Sequence, residues 1–388
     1  MDIPVPLLEQ VLASLPLSSV LSVAAASKRL RDIVSSPSFC HLRRGSPAAS
    51  SFWLFFIGFN RLLPDHNQGF AFDPLSSSWL PLKLSEPPHH NSASLSAAAG
   101  GCMVALAGAR QTQVCIAPSL LKQEWHVLQQ PMRVPRRSNP LVGVFYKDPE
   151  RLRIGRVVVA SGVDTDEEEC EGVGRELAVE EYNADKEDWE ICEPLPERLK
   201  GKSLVAALVG NRFYVADAEG GTICWMEGRR WREGEVVKPV EVKRWEWVSC
   251  QDLGLVAVAE CDGRSVKIYK MVGVDSEEQR VKQVAEMPEE MCAMFEEEGD
   301  LVRVRSCAGG PSSVYVYSDS RFRGYGEGTY EVGAGCSIGD GGEETCQWFR
   351  LPPLPSKLHR FDRICCTSAC VPLSSCISGI SSAREEAE

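Results

Sequence analysis

The six histidines are where metal or acid–base chemistry would first show, and their spacing offers none. His41, His66, His89, His90, His126 and His359 make no His-x-His or His-Glu-x-x-His pair. His89 and His90 are adjacent in a Pro/Ser-rich stretch, where neighbouring side chains point apart. Cys365, Cys366, Cys370 and Cys376 form the densest thiol group, but without the paired Cys-x-x-Cys of a zinc site. No Gly-x-Ser-x-Gly elbow and no phosphate loop occurs. The glycine-rich stretch Gly324–Gly342 lacks the Lys-Ser/Thr that would cradle a phosphate, and its composition predicts a flexible loop. The residues therefore predict no cofactor, no metal and no catalytic constellation, and what must be positioned is a surface.

The totals agree. The 388 residues suit one large domain and a small one, and 44% hydrophobic content can build a sizeable core. A net charge of -12 argues against non-specific nucleic-acid binding and against docking on an anionic membrane. The chain opens without a basic segment ahead of an apolar core, so no secretory signal is expected. The apolar stretch Phe52–Phe59 is too short to span a bilayer. A soluble intracellular protein, cytoplasmic and/or nuclear, is the expectation. Cys102, Cys115, Cys224 and Cys307 sit inside apolar runs, as buried free thiols do.

Near the N-terminus, Leu7, Leu8, Val11, Leu12 and Leu15 repeat at i, i+1, i+4, i+5 and i+8, which predicts one face of a helix. Pro6 suits a first turn, where its missing N–H costs nothing, and Pro16 ends the segment. A second helix carries Leu17, Val20, Leu21 and Ala24, with Ser18 or Ser19 as its cap. Ser27 caps a third, bearing Leu30, Ile33 and Val34, which Ser36-Pro37 closes. Phe39 and Leu42 add a last apolar pair. Three short helices in about 40 residues are marginal alone and usually need a partner. The small residues Ser22, Ala24, Ala25, Ala26 and Ser27 let another helix approach closely.

Ile3-Pro4, Leu7-Leu8, Val11-Leu12, Leu15-Pro16, Val20-Leu21, Ser27-Lys28-Arg29-Leu30 and Ser36-Pro37-Ser38-Phe39 together resemble the F-box family. The family pattern runs Leu-Pro, Leu-Leu, Ile-Leu, Leu-Pro, Val-Cys-Lys-Arg-Trp and a terminal Pro-x-Phe. The resemblance implies that this module, residues 1–45, binds the Skp-type adaptor of a cullin-based ubiquitin ligase. Carried over by position, the binding residues are Pro4, Leu7, Leu8, Val11, Leu12, Leu15, Pro16, Leu17, Val20, Leu21, Ala24, Lys28 and Leu30. Two positions depart: Ile3 replaces leucine, and Leu30 stands where tryptophan is usual, which removes aromatic area. The alternative is an amphipathic helical hairpin that caps the larger domain.

After a small-residue linker at 46–51 the pattern changes. Apolar runs of four to nine residues, rich in Val, Ile, Phe and Tyr, alternate with turn residues: Phe52–Phe59, Met103–Ala107, Leu141–Phe145, Ile154–Ala160, Leu204–Val209, Phe213–Ala216, Leu255–Ala259, Val266–Tyr269, Leu301–Val304 and Val314–Tyr317. These predict strands, with helical turns only near Glu277–Val281. One unit runs from Pro131-Met132 to Pro194, with Val157–Gly162, and with Tyr182 and Trp189 on neighbouring strands. A second contains Gly220-Gly221 and ends at Trp231. Fragments recur as Phe72-Asp73-Pro74 with Trp79, as Trp125 before Pro131, as Ser265–Lys270 without a tryptophan, and as Val314–Tyr317 with Trp348.

This pattern resembles degenerate kelch repeats, in the form found behind plant-type F-boxes. The resemblance implies a kelch-like β-propeller over 52–370, about six blades at roughly 50 residues each. The whole would be a multidomain α plus all-β chain: a helical F-box, then a propeller. Another all-β array, such as a pair of sandwiches, is the alternative. Asp164–Glu171 and Glu289–Glu298 are acidic and expected as solvated loops, or as contacts for a basic partner. Residues 371–388 are small and polar, a composition that predicts disorder. Together the two resemblances imply an adaptor whose partners are the Skp-type protein, through it a cullin, and a substrate protein on the propeller. A non-ligase scaffold is the second expectation. A propeller oxidase of the copper type would need more histidines than six.

Overall fold

The structure, a computed structural model, describes residues 3–371 except 45–51, 61–62, 86–87, 89–93, 109, 122–123, 137–139, 149–151, 164–174, 274–279, 298–299, 302–303, 311, 319–331, 340–345, 356–360 and 362. The expected linker at 46–51, the acidic run Asp164–Glu171 and the tail beyond Val371 thus lie outside the described residues.

Four short helices open the chain, one more than the spacing predicts: α1 (Val5–Ser14), α2 (Leu17–Ala26), α3 (Lys28–Val34) and α4 (Pro37–Arg44). Phe39 and Leu42, expected as a loose pair, belong to α4. Pro16 does more than end α1. It is the N-cap of α2 with extended backbone, so Ser18 and Ser19 fall inside that helix and neither caps it. A proline suits the place because no hydrogen bond is asked of its nitrogen. Ser27 does cap α3, its hydroxyl accepting from the Leu30 N–H at 3.5 Å. Leu12, Ala13, Val20, Ala24, Ile33, Val34 and Phe39 are the buried core of this module.

Six four-stranded antiparallel sheets follow. β1 (Phe52–Phe59), β2 (Gln68–Asp73) and β3 (Ser78–Leu82) are the outer strands of the first. The second is β4 (Ser94–Ala98), β5 (Cys102–Ala107), β6 (Gln113–Ala117) and β7 (His126–Val127). The third is β8 (Leu141–Asp148), β9 (Arg153–Ala160), β10 (Val179–Asn183) and β11 (Asp188–Ile191). The fourth is β12 (Leu204–Val209), β13 (Arg212–Asp217), β14 (Thr222–Glu227) and β15 (Arg230–Glu235). The fifth is β16 (Val242–Cys250), β17 (Gly254–Cys261), β18 (Val266–Val272) and β19 (Arg280–Glu286). A one-turn helix α5 (Glu289–Cys292) and a minute hairpin, β20 (Glu296–Glu297) with β21 (Asp300–Leu301), lead to the sixth. That sheet is β22 (Val304–Gly310), β23 (Ser313–Ser318), β24 (Gly333–Ser337) and β25 (Gln347–Arg350). Finally β26 (Arg363–Cys370) returns to the first sheet as its innermost strand.

The inner strands β26, β4, β8, β12, β16 and β22 neighbour one another in that order, and β22 meets β26 again. The circle is closed: a six-blade propeller. β1 and β26 pair antiparallel from Phe52↔Cys370 to Phe59↔Arg363, so strands from the two ends of the propeller close it. Strand alternation fills the gaps between blades. Trp53, Phe55 and Ile57 face the second blade with Met103 and Ala117, while Leu54 and Phe56 face the sixth with Tyr315 and Tyr317.

Four expectations are corrected. The glycine-rich stretch is not all loop: Gly333–Ser337 is β24. A Cβ at Gly335 would lie 2.2 Å from the Phe349 ring and one at Gly333 2.1 Å from the Val316 carbonyl oxygen, so glycine is there for close approach. Arg280 and Val281 are strand, not helical turn. The run Leu301–Val304 divides, Leu301 to the minute hairpin and Val304 to β22. The acidic stretch Glu289–Glu298 is not all solvated loop: it carries α5, and Cys292, Met294 and Phe295 are buried in an inter-blade core. Cys365 and Cys366 sit on the closing strand β26, opposite Ile57 and Phe56, and face different inter-blade cores.

Candidate protein-docking site

The apolar residues of α1 split into two faces. Leu12 is buried, and Leu8 and Leu15 pack against the same core. Leu7 and Val11, one turn apart, are each 52% exposed, and Ile3 ahead of the helix is 54% exposed. Pro4 and Val5 are exposed beside them. The single apolar face expected from the spacing is thus divided: adjacent helical residues point about 100° apart, and Leu7 turns outward while Leu8 packs inward. The outward set is an apolar stripe with no partner among the described residues. Lys28 is exposed and Leu30 half-buried against the module core. Leu12, Val20 and Ala24 hold the module together from inside, and Pro16 caps α2. The side chain of Leu21 is outside what the structure describes. Leu17 is buried in a different cluster, among Trp53, Leu120 and Val371 of the propeller.

Two devices that the sequence did not announce keep α1 in place. The buried Arg43 guanidinium donates to the Leu15 carbonyl at 3.0 Å and to the Leu12 and Ala13 carbonyls at 3.4 Å. It satisfies the otherwise open C-terminal end of α1. At the other side Glu9 accepts from Ser38 at 2.7 Å and Ser36 at 3.3 Å, and Ser36 in turn accepts from the Phe39 N–H. A cation 28 residues downstream of its acceptor Leu15 leaves no local signature.

The propeller's repeat residues also resolve into a common geometry. Tyr182 and Trp189 are cross-strand partners with ring centroids 5.3 Å apart; Phe72 and Trp79 match them at 5.2 Å. The hairpins agree in detail. Asp73 and Asn183 each accept from the N–H two residues on, at 3.0 and 2.9 Å, and Ser77 and Glu187 adopt positive φ at 49° and 54°. Each signature indole then reaches back to the blade before it. Trp79 donates to Pro352, Trp125 to Ser85, Trp189 to Gln130 and Trp231 to Glu193, all at carbonyls just past the previous outer strand. Trp348 breaks the series: its buried indole N–H has no partner among the described residues. Gly162 holds φ +78° against Pro140, and Gly221 stands where a Cβ would lie 2.2 Å from the Val236 carbonyl oxygen. Gly220 lies beside the Asp217 carboxylate.

A buried ion pair fixes the path between blades two and three. Arg136 and Glu180 are both 0% exposed and 3.2 Å apart. Glu180 also accepts from the Arg133 and Val134 N–H groups, and Arg136 donates to the Ser161 and Ala178 carbonyls at 2.6 and 2.7 Å. Burial pushes the Arg136 guanidinium down from its ordinary value, and the Glu180 charge opposes that shift.

Antiparallel topology sorts the loops by face. β1 starts, and β26 ends, on one face, where the helical module is attached. The segments between blades open on the other. There Val237 and Val240 are 76% and 97% exposed, and α5 of the acidic Glu289–Glu298 stretch also lies at this end. Among the described residues, no three His, Cys, Asp or Glu side chains stand close enough to hold a metal, and no helix is long and apolar enough to cross a membrane.

Comparison with known proteins gives one family: residues 1–42 match the F-box domain. No curated protein matches the chain. Three solved structures share its outline at 12% identity. A Lactobacillus plantarum protein covers 78% of this chain and 82% of its own at TM-score 0.43. SapL1 lectin, solved with alpha methyl fucoside, covers 75% and 90% at 0.42. YCF48 bound to D1 peptide covers 78% and 81% at 0.38. All three are too distant to inform function.

Proposed function

We propose that the chain is the substrate-recognition adaptor of a cullin-type (SCF) ubiquitin ligase, working in the cytoplasm and/or nucleus. The observation that carries this is the F-box match at residues 1–42 together with the outward stripe of Ile3, Leu7 and Val11. F-box domains bind the Skp-type adaptor, and this stripe is the part of α1 open to such a partner. The cullin is reached through that adaptor. The propeller, of kelch type on this proposal, holds the substrate protein on the loop face remote from the module. The paired hairpins at Phe72–Trp79 and Tyr182–Trp189 support that typing. The chain's own contribution is positioning, raising the effective concentration of substrate at a ligase whose bond chemistry lies elsewhere.

One contact favours a second reading. Leu17 is buried among propeller residues, as it would be if the helices served only as a cap. Proximity labelling in cells with the intact chain and with residues 1–45 deleted separates the two. The adaptor reading predicts that Skp-type and cullin proteins vanish from the labelled set while propeller-bound proteins remain. The cap reading predicts that the deletion chain is insoluble and loses both sets.

A further inference from the structure

Among the twelve described cysteines, eleven are buried and only Cys346 is half-buried. Cys346 stands just ahead of β25. In the register of β24 with β25, Cys336 lies opposite Trp348 and Ser337 opposite Gln347. Cys346 is therefore two residues from the partner of Cys336, on the same face of the sheet. The two thiols share a hydrogen bond. Both pack on the core between the fifth and sixth blades, with Val284, Ile338 and Trp348.

Cys346 also reaches across to the next blade. Its thiol donates to the Val284 carbonyl on β19 at 2.7 Å. Cys336 has, besides Cys346, a long contact of 4.0 Å to the Ser337 carbonyl. Burial pushes the Cys336 thiol up from its ordinary value, which leaves the half-buried Cys346 to meet an oxidant first. The other neighbouring thiols are placed differently. Cys365 and Cys366 face different cores, and Cys250 and Cys307 are both buried.

We propose that Cys346 and Cys336 are a reversible oxidation site, joined as a disulfide by a peroxide and parted by a thiol reductant. The Cys346 sulfur takes one oxygen from the peroxide as its O–O bond breaks, giving a sulfenic acid and one water. The Cys336 sulfur then attacks the Cys346 sulfur. The S–O bond breaks, and the departing hydroxyl takes the Cys336 proton and leaves as a second water. Two thiols and one peroxide thus give one disulfide and two waters. The sulfurs must close from hydrogen-bond distance to about 2.05 Å. Cys346 lies outside the β24–β25 ladder and is the one free to move. It loses its proton, and with it the bond to Val284. Oxidation therefore exchanges a tie between the fifth and sixth blades for one inside the sixth. The inference does not rest on the ligase reading and stands or falls separately.

The test treats the reduced full chain with rising amounts of hydrogen peroxide, then alkylates every remaining thiol under denaturing conditions. Trypsin releases residues 324–350 as one peptide, which holds Cys336 and Cys346 and no other cysteine. The expected result is that this peptide becomes unalkylated and about 2 Da lighter than its dithiol form, while the buried cysteines elsewhere are still alkylated. A second cut at Asp340, Glu343 or Glu344 leaves its halves joined, and dithiothreitol parts them. In Cys336→Ala, Cys346 stops at the sulfenic acid and is captured by dimedone, whereas the intact chain gives no such adduct. If that variant does not fold, the peptide masses of the intact chain decide alone. The proposal is overturned if the peptide stays a dithiol until the buried cysteines oxidise, or if Cys346 passes to sulfinic acid while Cys336 is still alkylated. Equal dimedone capture by the intact chain and the folded variant would overturn it as well.

Discussion

Trp189 and Trp348 occupy corresponding outer strands but differ by one hydrogen bond and in burial, Trp189 being buried and Trp348 half-buried. The first indole donates to Gln130 at 2.9 Å and the second to none of the described residues. Trp189→Phe is therefore expected to cost about 1 kcal/mol more than Trp348→Phe in urea unfolding of the intact chain. The buried Arg136–Glu180 pair is a larger effect at the same scale. Arg136→Met leaves a carboxylate without its cation in a site sealed from water, a loss of about 3–5 kcal/mol, read from the same unfolding curves. What was legible here was local. Tyr182 and Trp189 lie in one hairpin, so their spacing betrayed their contact. The acceptors of the indoles belong to the preceding blade, and nothing near a tryptophan in the chain points to them. The stripe on α1 was legible as apolar, but its division into Leu7 and Val11 outside and Leu12 inside depends on where the rest of the module lies.

Between elements, two glycines separate steric from conformational demand. Gly201 has φ +66° with open space around its Cβ position, so Gly201→Ala should cost only the left-handed backbone, about 1–2 kcal/mol. Gly221 has ordinary φ but a backbone oxygen 2.2 Å from its Cβ position, so Gly221→Ala must move β15 or its exit. It should cost more than Gly201→Ala, and differential scanning calorimetry of the two variants gives the order. Several strands readable from sequence, such as Val157–Ala160, are buried on both faces. Others escaped, β6, β16 and β19 among them, and a few did so for a readable reason. β4 and β24 are mostly alanine, serine and glycine, with little hydrophobic signal. β7 has two residues, both exposed. β26 escaped differently: its cysteines and small polar residues are those of a loop until β1 is placed beside it.

For the whole molecule, closure and burial set the stability. Burial pushes the Cys102 and Cys250 thiols up to about 12, and those of Cys115, Cys192 and Cys261 up to about 11, from 9.0. The folded chain thus keeps protons that the unfolded chain releases. Stability from this source is complete below about pH 9 and declines as pH rises towards 12, by up to about 1.4 kcal/mol per thiol per pH unit. Melting temperature followed from pH 8 upward should fall on that limb.

The central claim is that one end of the chain docks a Skp-type adaptor while the propeller remains free to hold something else. The direct measurement is titration of the purified adaptor into the intact chain by calorimetry, alongside Leu7→Asp and Val11→Asp, with circular dichroism to verify folding. Both substitutions lie on the exposed stripe, so the fold should survive. Intact protein should bind at one to one, and each variant should lose at least about tenfold in affinity, or about 1.4 kcal/mol. Absence of binding by the intact chain, or equal binding by both folded variants, would contradict the account.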